Sequence, residues 1–253
     1  HNISIGTKAG LNGTTGSCNV FLGTCAGRSV STGDFNLFAG YKAGDAVTVG
    51  TRNIYLGECA GAEATDGHRN IAIGNFSGWL NTTGCCNVYI GACAGAYNCT
   101  GSNNIAIGKR AGHAANSTSN NTFIGESSGS KLTLGEGNVF LGSNTGLEAT
   151  NAGCNVFIGN NAGQGNTNIP ILGGCNIAVG AFAGYHIKGG DDNVFLGTRA
   201  GKASDDSNRN VFLGYYAGSL NTGHCNIFIG PLAGNTNTIG VSIDPDEIKT
   251  SFA

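Results

Sequence analysis

A run of nine residues, "NVFLGTCAG" (Asn19–Gly27), returns along the chain with small edits as "NIYLGECAG", "NVYIGACAG", "NVFLGTRAG" and "NIFIGPLAG". With its Asn as position 1, copies begin at Asn2, Asn19, Asn36, Asn53, Asn70, Asn87, Asn104, Asn121, Asn138, Asn155, Asn176, Asn193, Asn210 and Asn226. The step is 17 residues throughout, except 21 after Asn155 and 16 after Asn210. The longer step contains "NTNIPILGG", a four-residue insertion into one loop. A short fixed period constrains folding strongly, because each unit must take the same shape and cover its apolar residues with its neighbours.

Seventeen residues are too few for a helical hairpin repeat, which needs about 33 or more. Positions 5 and 9 are Gly in every copy. Positions 2 and 4 are Ile, Val or Leu, apart from Thr122 and Ala39, and position 3 is Phe or Tyr in ten copies. Position 8 is Ala in eleven copies, otherwise Ser or Thr. A short β-branched and aromatic run closed by Gly reads as a strand ending at a bend. The small, polar remainder leaves room for a second short strand near positions 11–14. One repeat is then one coil. The sequence predicts an all-β protein, a β-solenoid (β-roll) of fourteen coils of about 17 residues, stacked at the interstrand spacing into a rod about 65 Å long. Flexible Gly-rich linkers lack such fixed apolar positions.

Stacking gives each repeated letter a role. The column Asn19, Asn36, Asn53, Asn70, Asn87, Asn104, Asn121, Asn138, Asn155, Asn176, Asn193, Asn210 and Asn226 is expected to form an amide ladder, each side chain bonding to the next. Strand side chains alternate between faces. With positions 2 and 4 taken as the interior, position 3 makes an outward stripe of Phe21, Phe38, Tyr55, Tyr89, Phe123, Phe140, Phe157, Phe195, Phe212 and Phe228. Such a stripe exceeds the apolar patch a soluble monomer usually exposes, so the expectation is burial against another chain of the same kind. The alternative is a wider coil that covers the row itself.

Among the ten Cys, Cys154 and Cys175 fall at equivalent places in adjacent coils and are the candidate intrachain disulfide. Cys18 with Cys25, and Cys86 with Cys93, are separated by an extended strand and are candidates for bonds between chains; the alternative is free, buried thiols. The cysteine content favours an oxidising, extracellular setting.

Other function classes find little here. Charged residues are 11% of the chain, net charge is −2 and the basic residues are scattered, against nucleic-acid binding. No apolar run reaches the length of a membrane span. No Cys-x-x-Cys spacing occurs and the five His are dispersed, so no metal or other cofactor is expected. "GESSG" (Gly125–Gly129) matches a nucleophile elbow around Ser127, but its two Gly are repeat positions 5 and 9. "GTRAGK" (Gly197–Lys202) falls one residue short of a phosphate-binding loop and is also ordinary repeat. An enzyme is not expected.

"NNIAIGKRAG" (Asn103–Gly112) and "NIAIGNFSG" (Asn70–Gly78) resemble the head repeats of YadA-type trimeric autotransporter adhesins, whose motif is close to Asn-Ser-Val-Ala-Ile-Gly. "NVFIGNNAG" (Asn155–Gly163) and "NTFIGESSG" (Asn121–Gly129) resemble repeats of phage tail fibres and related bacterial surface proteins. The resemblance implies an extracellular, homotrimeric β-roll. The 17-residue coil, the aromatics at position 3 and the cysteines depart from the adhesin pattern. The expected function is structural: residues 1–239 form the rod or head of an extracellular fibre or adhesin, self-associating as a trimer or as an end-to-end or lateral fibre, with a cell-surface or glycan receptor as a further partner. A phage tail-fibre shaft is the first alternative. Ice or glycan binding by the position-13 Thr row (Thr14, Thr48, Thr65, Thr82, Thr133, Thr150 and Thr222) is the second. Residues 240–253 abandon the repeat and read as a cap or as a segment docking on the next subunit.

Overall fold

A computed structural model describes residues 1–165 and 171–235. The expected cap at 240–253 and residues 166–170, within the longer step, lie outside the described residues. All regular structure among the described residues is strand. Fourteen three-residue strands, from β1 (Ile3–Ile5), β2 (Val20–Leu22) and β3 (Leu37–Ala39) to β14 (Ile227–Ile229), form a single parallel sheet in chain order. The register never slips: Ile3 lies beside Val20, Val20 beside Leu37, and the match continues to Val211 beside Ile227. The chain is therefore a β-solenoid, one coil per repeat.

Backbone bonds to the next coil continue round the corners. Gly27 donates its N–H to the Ala43 carbonyl (2.9 Å), Ser29 to Asp45 (3.1 Å) and Ser31 to Thr48 (3.0 Å). Tight turns within a coil, such as Val30 N–H to the Gly27 carbonyl (3.2 Å), close the remaining angle. The backbone's polar groups are thus met by copies of themselves one period away, and the repeat needs no separate partner for them.

The two faces of the strand are the reverse of the sequence expectation. Phe21, Phe38, Tyr55, Tyr89, Phe123, Phe140, Phe157, Phe195 and Phe212 are buried inside their own solenoid, and Phe228 in the last strand is partly buried. Positions 2 and 4 point outward, with Leu22 37%, Ile90 36% and Ile105 39% exposed. The reason lies across the coil, at positions 8 and 9. The ring of Tyr89 lies directly over Gly95, where an added Cβ would stand 2.3 Å from Cδ1, and Gly95 has φ +57°. The small residue at position 8, Ala94 in that coil, clears the rest of the space. A bulky ring fits the narrow interior because the opposite wall has no side chain there. Where position 3 is itself small, a neighbour fills in: the Tyr89 ring also approaches Gly78 above Ala72, and the Phe123 ring approaches Gly112 above Ala106. The rings stack along the axis, Phe38 on Tyr55 at 4.9 Å and Phe140 on Phe157 at 5.0 Å between centroids. These offset-stacked and tilted contacts add to the burial of each ring.

Four residues per coil take positive φ. Two are Gly, at positions 5 and 9, and two are positions 7 and 17, where almost any residue is found: Cys25, Lys42, Phe76 and Arg110 at the first, Cys18, Phe35, Arg52 and Asn120 at the second. Left-handed backbone costs a non-glycine residue about 1–2 kcal/mol. The continuous ladder of coils holds it in place.

Candidate functional site

The Asn column lies inside the first corner and is buried. Asn36 shows its use. The Asn36 N–H donates to Asn19 Oδ1 (2.9 Å), and Asn36 Nδ2 donates to the Gly50 carbonyl at the far end of its own coil (2.9 Å). Its Oδ1 in turn accepts the N–H of Asn53 (2.9 Å). Asn36 Nδ2 also donates to Asn19 Oδ1 (3.1 Å), so one side chain ties a strand to the coil before it, the coil after it and the close of its own loop. No shorter or charged residue makes all of these bonds, and this accounts for Asn in every copy.

The position-13 hydroxyls are also used within the rod. Thr14 Oγ1 donates to the Ser31 carbonyl (2.9 Å), Thr65 to Thr82 (2.9 Å), Thr82 to Cys99 (2.9 Å) and Thr133 to Thr150 (3.0 Å). Thr48 Oγ1 donates to Asp66 Oδ1 (3.0 Å).

All ten cysteines are free thiols. Cys154 and Cys175, the expected intrachain bridge, stand exposed in successive coils without a bond. In-register neighbours keep Cα atoms about 4.8 Å apart with side chains running parallel, whereas a disulfide turns its two Cβ atoms toward each other. The Cys175 thiol is held above its usual range by local desolvation, then by Cys154 and the carboxylates of Asp192 and Asp191. Of the four cysteines assigned between chains, Cys25 is buried in the rod and Cys93 is half-buried, while Cys18 and Cys86 are exposed. Cys25 is the most enclosed of the four, with 8% of its surface exposed.

Ser127 sits at the left-handed position 7 (φ 56°), its N–H bonded to the Lys109 carbonyl (2.9 Å) as the ladder requires. Residues 197–202 form an ordinary corner, in which the Arg199 guanidinium lies between the rings of Phe182 (5.6 Å) and Tyr216 (5.0 Å).

What the solenoid leaves open is its sheet face. Two outward positions in each of fourteen strands are occupied by Ile, Val or Leu, with Ala39 and Thr122 the exceptions and no charge anywhere. The strands are three residues wide, about 10 Å, and the stack runs about 62 Å, a footprint of roughly 600 Å². That lies at the upper limit of the apolar patch ordinary monomers leave open. Sequence reasoning found the two-sided apolar strand but placed the open side one residue away.

Compared with family models, with curated proteins and with solved structures, the chain finds no match.

Proposed function

We propose that the protein is structural: the rod or head of an extracellular fibre or adhesin, built from copies of this chain that pack through the aliphatic sheet face. The uncharged double row of Ile, Val and Leu on the outside of the sheet carries this reading. Its footprint approaches the roughly 800 Å² that each partner contributes to a standard interface. An in-register parallel sheet presents similar aliphatic side chains at almost every step, a surface suited to packing dry against a second copy of itself. Assembly thus belongs to positions 2 and 4, not to the aromatic stripe, which is already covered. The resemblance to trimeric adhesin heads favours three copies, and the resemblance of two repeats to those of phage tail fibres makes a tail-fibre shaft the second reading. An ice- or glycan-binding face on the Thr row has less support, since several of those hydroxyls already donate to the next coil.

Sedimentation of the purified chain over a range of concentrations, with negative-stain images of the same samples, tests assembly. Wild-type protein is expected as oligomers or filaments. The double substitution Ile73→Lys, Ile107→Lys, on outward positions two coils apart, is expected to give monomers with an unchanged far-UV spectrum. Wild-type protein that sediments as a monomer at every concentration sinks the proposal.

A further inference from the structure

We propose that Arg52, Arg69 and His68 form a binding site for an oxyanion (a sulfate, phosphate or carboxylate group), either free or carried on a ligand the size of one sugar ring. The rod arranges its charges by its period. Residues 17 apart occupy the same position in successive coils, so their side chains emerge side by side at about 4.8 Å spacing. Where both are charged, they are opposite: Arg28 with Asp45, Lys109 with Glu126, Lys131 with Glu148, Lys188 with Asp205, Asp192 with Arg209. Three of these close as ion pairs, at 2.8, 3.4 and 2.8 Å for the first three. Among the described residues Arg52 and Arg69 break the rule. Both hold position 17, both are exposed, and neither is in a salt bridge.

The carboxylates of Asp34 and Asp66 form no salt bridge with either arginine, and one oxygen of each is taken by a neutral donor. Asp34 Oδ1 accepts the Ser17 N–H (2.6 Å) and its hydroxyl (3.2 Å), and Asp66 Oδ1 accepts the Thr48 hydroxyl (3.0 Å). Two arginine side chains at one position in successive coils repel each other, and an anion bound in the cavity that both line relieves that repulsion. Guanidinium forks are suited to that task because they bond carboxylate, sulfate or phosphate oxygens in pairs.

The surface is shaped for it. Thr51, Arg52, His68, Arg69, Cys85 and Cys86 line a cavity of about 250 Å³. The Arg52 guanidinium lies 5.5 Å from the centroid of the exposed Phe35 ring, a cation–π contact that steadies it. The His68 ring is fixed as well. Its Nδ1 lies 3.0 Å from both the N–H and the hydroxyl of Thr51. A backbone N–H can only donate, so Nδ1 is the acceptor and the neutral ring carries its proton on Nε2. The cavity wall therefore holds two cations and an imidazole whose other nitrogen is a donor. It is smaller than the roughly 300–1,000 Å³ of a drug-sized ligand site and matches a bare oxyanion or one charged ring.

Calorimetric titration of the whole chain with sodium sulfate, with a sulfated monosaccharide and with the same sugar unsulfated tests the site, in a chloride buffer of fixed ionic strength. Saturable binding of the sulfated compounds and none of the neutral sugar is expected. Arg52→Gln and Arg69→Gln are each expected to weaken it by at least about tenfold, the loss typical of a charged hydrogen-bond partner. Arg209→Gln, at the same position in a distant coil, is expected to leave it unchanged. Tighter binding of the sugar sulfate than of inorganic sulfate identifies a glycan-borne group; equal binding identifies the free ion. Binding of neither sulfated compound, or equal binding by the doubly substituted protein with an unchanged melting curve, overturns the site.

Discussion

The interior of the rod is decided by single side chains, and one of them is badly served. Tyr89 is fully buried, and its hydroxyl has the Asn98 amide nitrogen at 2.6 Å. Tyr55 is equally buried, yet its hydroxyl oxygen has no hydrogen-bond partner. Asn70, the amide beside it, is engaged in the ladder: Nδ2 donates to the Gly84 carbonyl (2.8 Å) and Oδ1 accepts from Asn87 (3.0 Å). Burial pushes both phenols well above their usual range, with desolvation the largest cause. A buried polar atom left unpaired costs about 1–3 kcal/mol, and Phe already occupies this position in eight other coils. Tyr55→Phe is therefore expected to stabilise the protein by about 1 kcal/mol, seen as a higher denaturant midpoint at unchanged slope. Tyr89→Phe, which strands the Asn98 amide, is expected to destabilise it. A loss of stability in Tyr55→Phe contradicts this account of the core.

At the level of the coil, the Asn ladder is the element that cannot be traded. In the middle of the rod, Asn104 Oδ1 accepts the N–H of Asn121 (3.1 Å), while Asn104 Nδ2 donates to the Thr118 carbonyl (2.7 Å) and to Asn87 Oδ1 (3.1 Å). Asn104→Ala leaves the Asn121 N–H and the Thr118 carbonyl unpaired in a buried corner, an expected loss of about 2–4 kcal/mol by equilibrium unfolding. A change under about 0.5 kcal/mol, the size of an ordinary surface substitution, shows the ladder to be incidental. The period, the strand and this column were all legible in the sequence, because each is a local pattern repeated many times. The facing of the strand was not. Positions 2, 3 and 4 are all apolar, so alternation carries no sign, and a shift of one residue exchanges every inside side chain for an outside one. The deciding information sits across the coil, in Gly95 beneath Tyr89 and its equivalents, and becomes visible only when the loop is closed. The left-handed positions 7 and 17 were hidden for a related reason. Phe35, Arg52 and Cys86 give no local hint of positive φ, which the coil imposes on whatever residue stands there.

The molecule as a whole is one coil written many times, and each coil touches only its neighbours. Stability then accumulates from coil interfaces, and no single coil is indispensable. The chain already shows where length can vary. The step of 21 residues has its four extra residues between Gly163 and Asn176 in the sequence, and the step of 16 is one residue short between Thr222 and Gly223, both outside the five-residue strand motif. A deletion of one full period, residues 104–120, joins the coil of Tyr89 directly to that of Phe123. It removes the small Ala106, above which the Phe123 ring now leans, and brings two aromatic residues together as Phe38 and Tyr55 already are. Every Asn, Gly and outward aliphatic residue stays in its column. The shortened protein is expected to remain soluble and strand-rich, to melt cooperatively, and to lose only a few degrees of stability, since one interface of many is gone. A nine-residue deletion, 104–112, removes fewer atoms but takes out one strand with its Asn and both its Gly, and leaves residues 113–120 as a surplus of eight that either loops out or takes the places of Asn, strand and Gly in the next coil. It is expected to aggregate or to unfold at room temperature. Circular dichroism melts of the two variants side by side decide the matter: if the full-period deletion is tolerated no better than the nine-residue one, removing a whole coil has no advantage and the stacking of equivalent positions is not what holds this rod together.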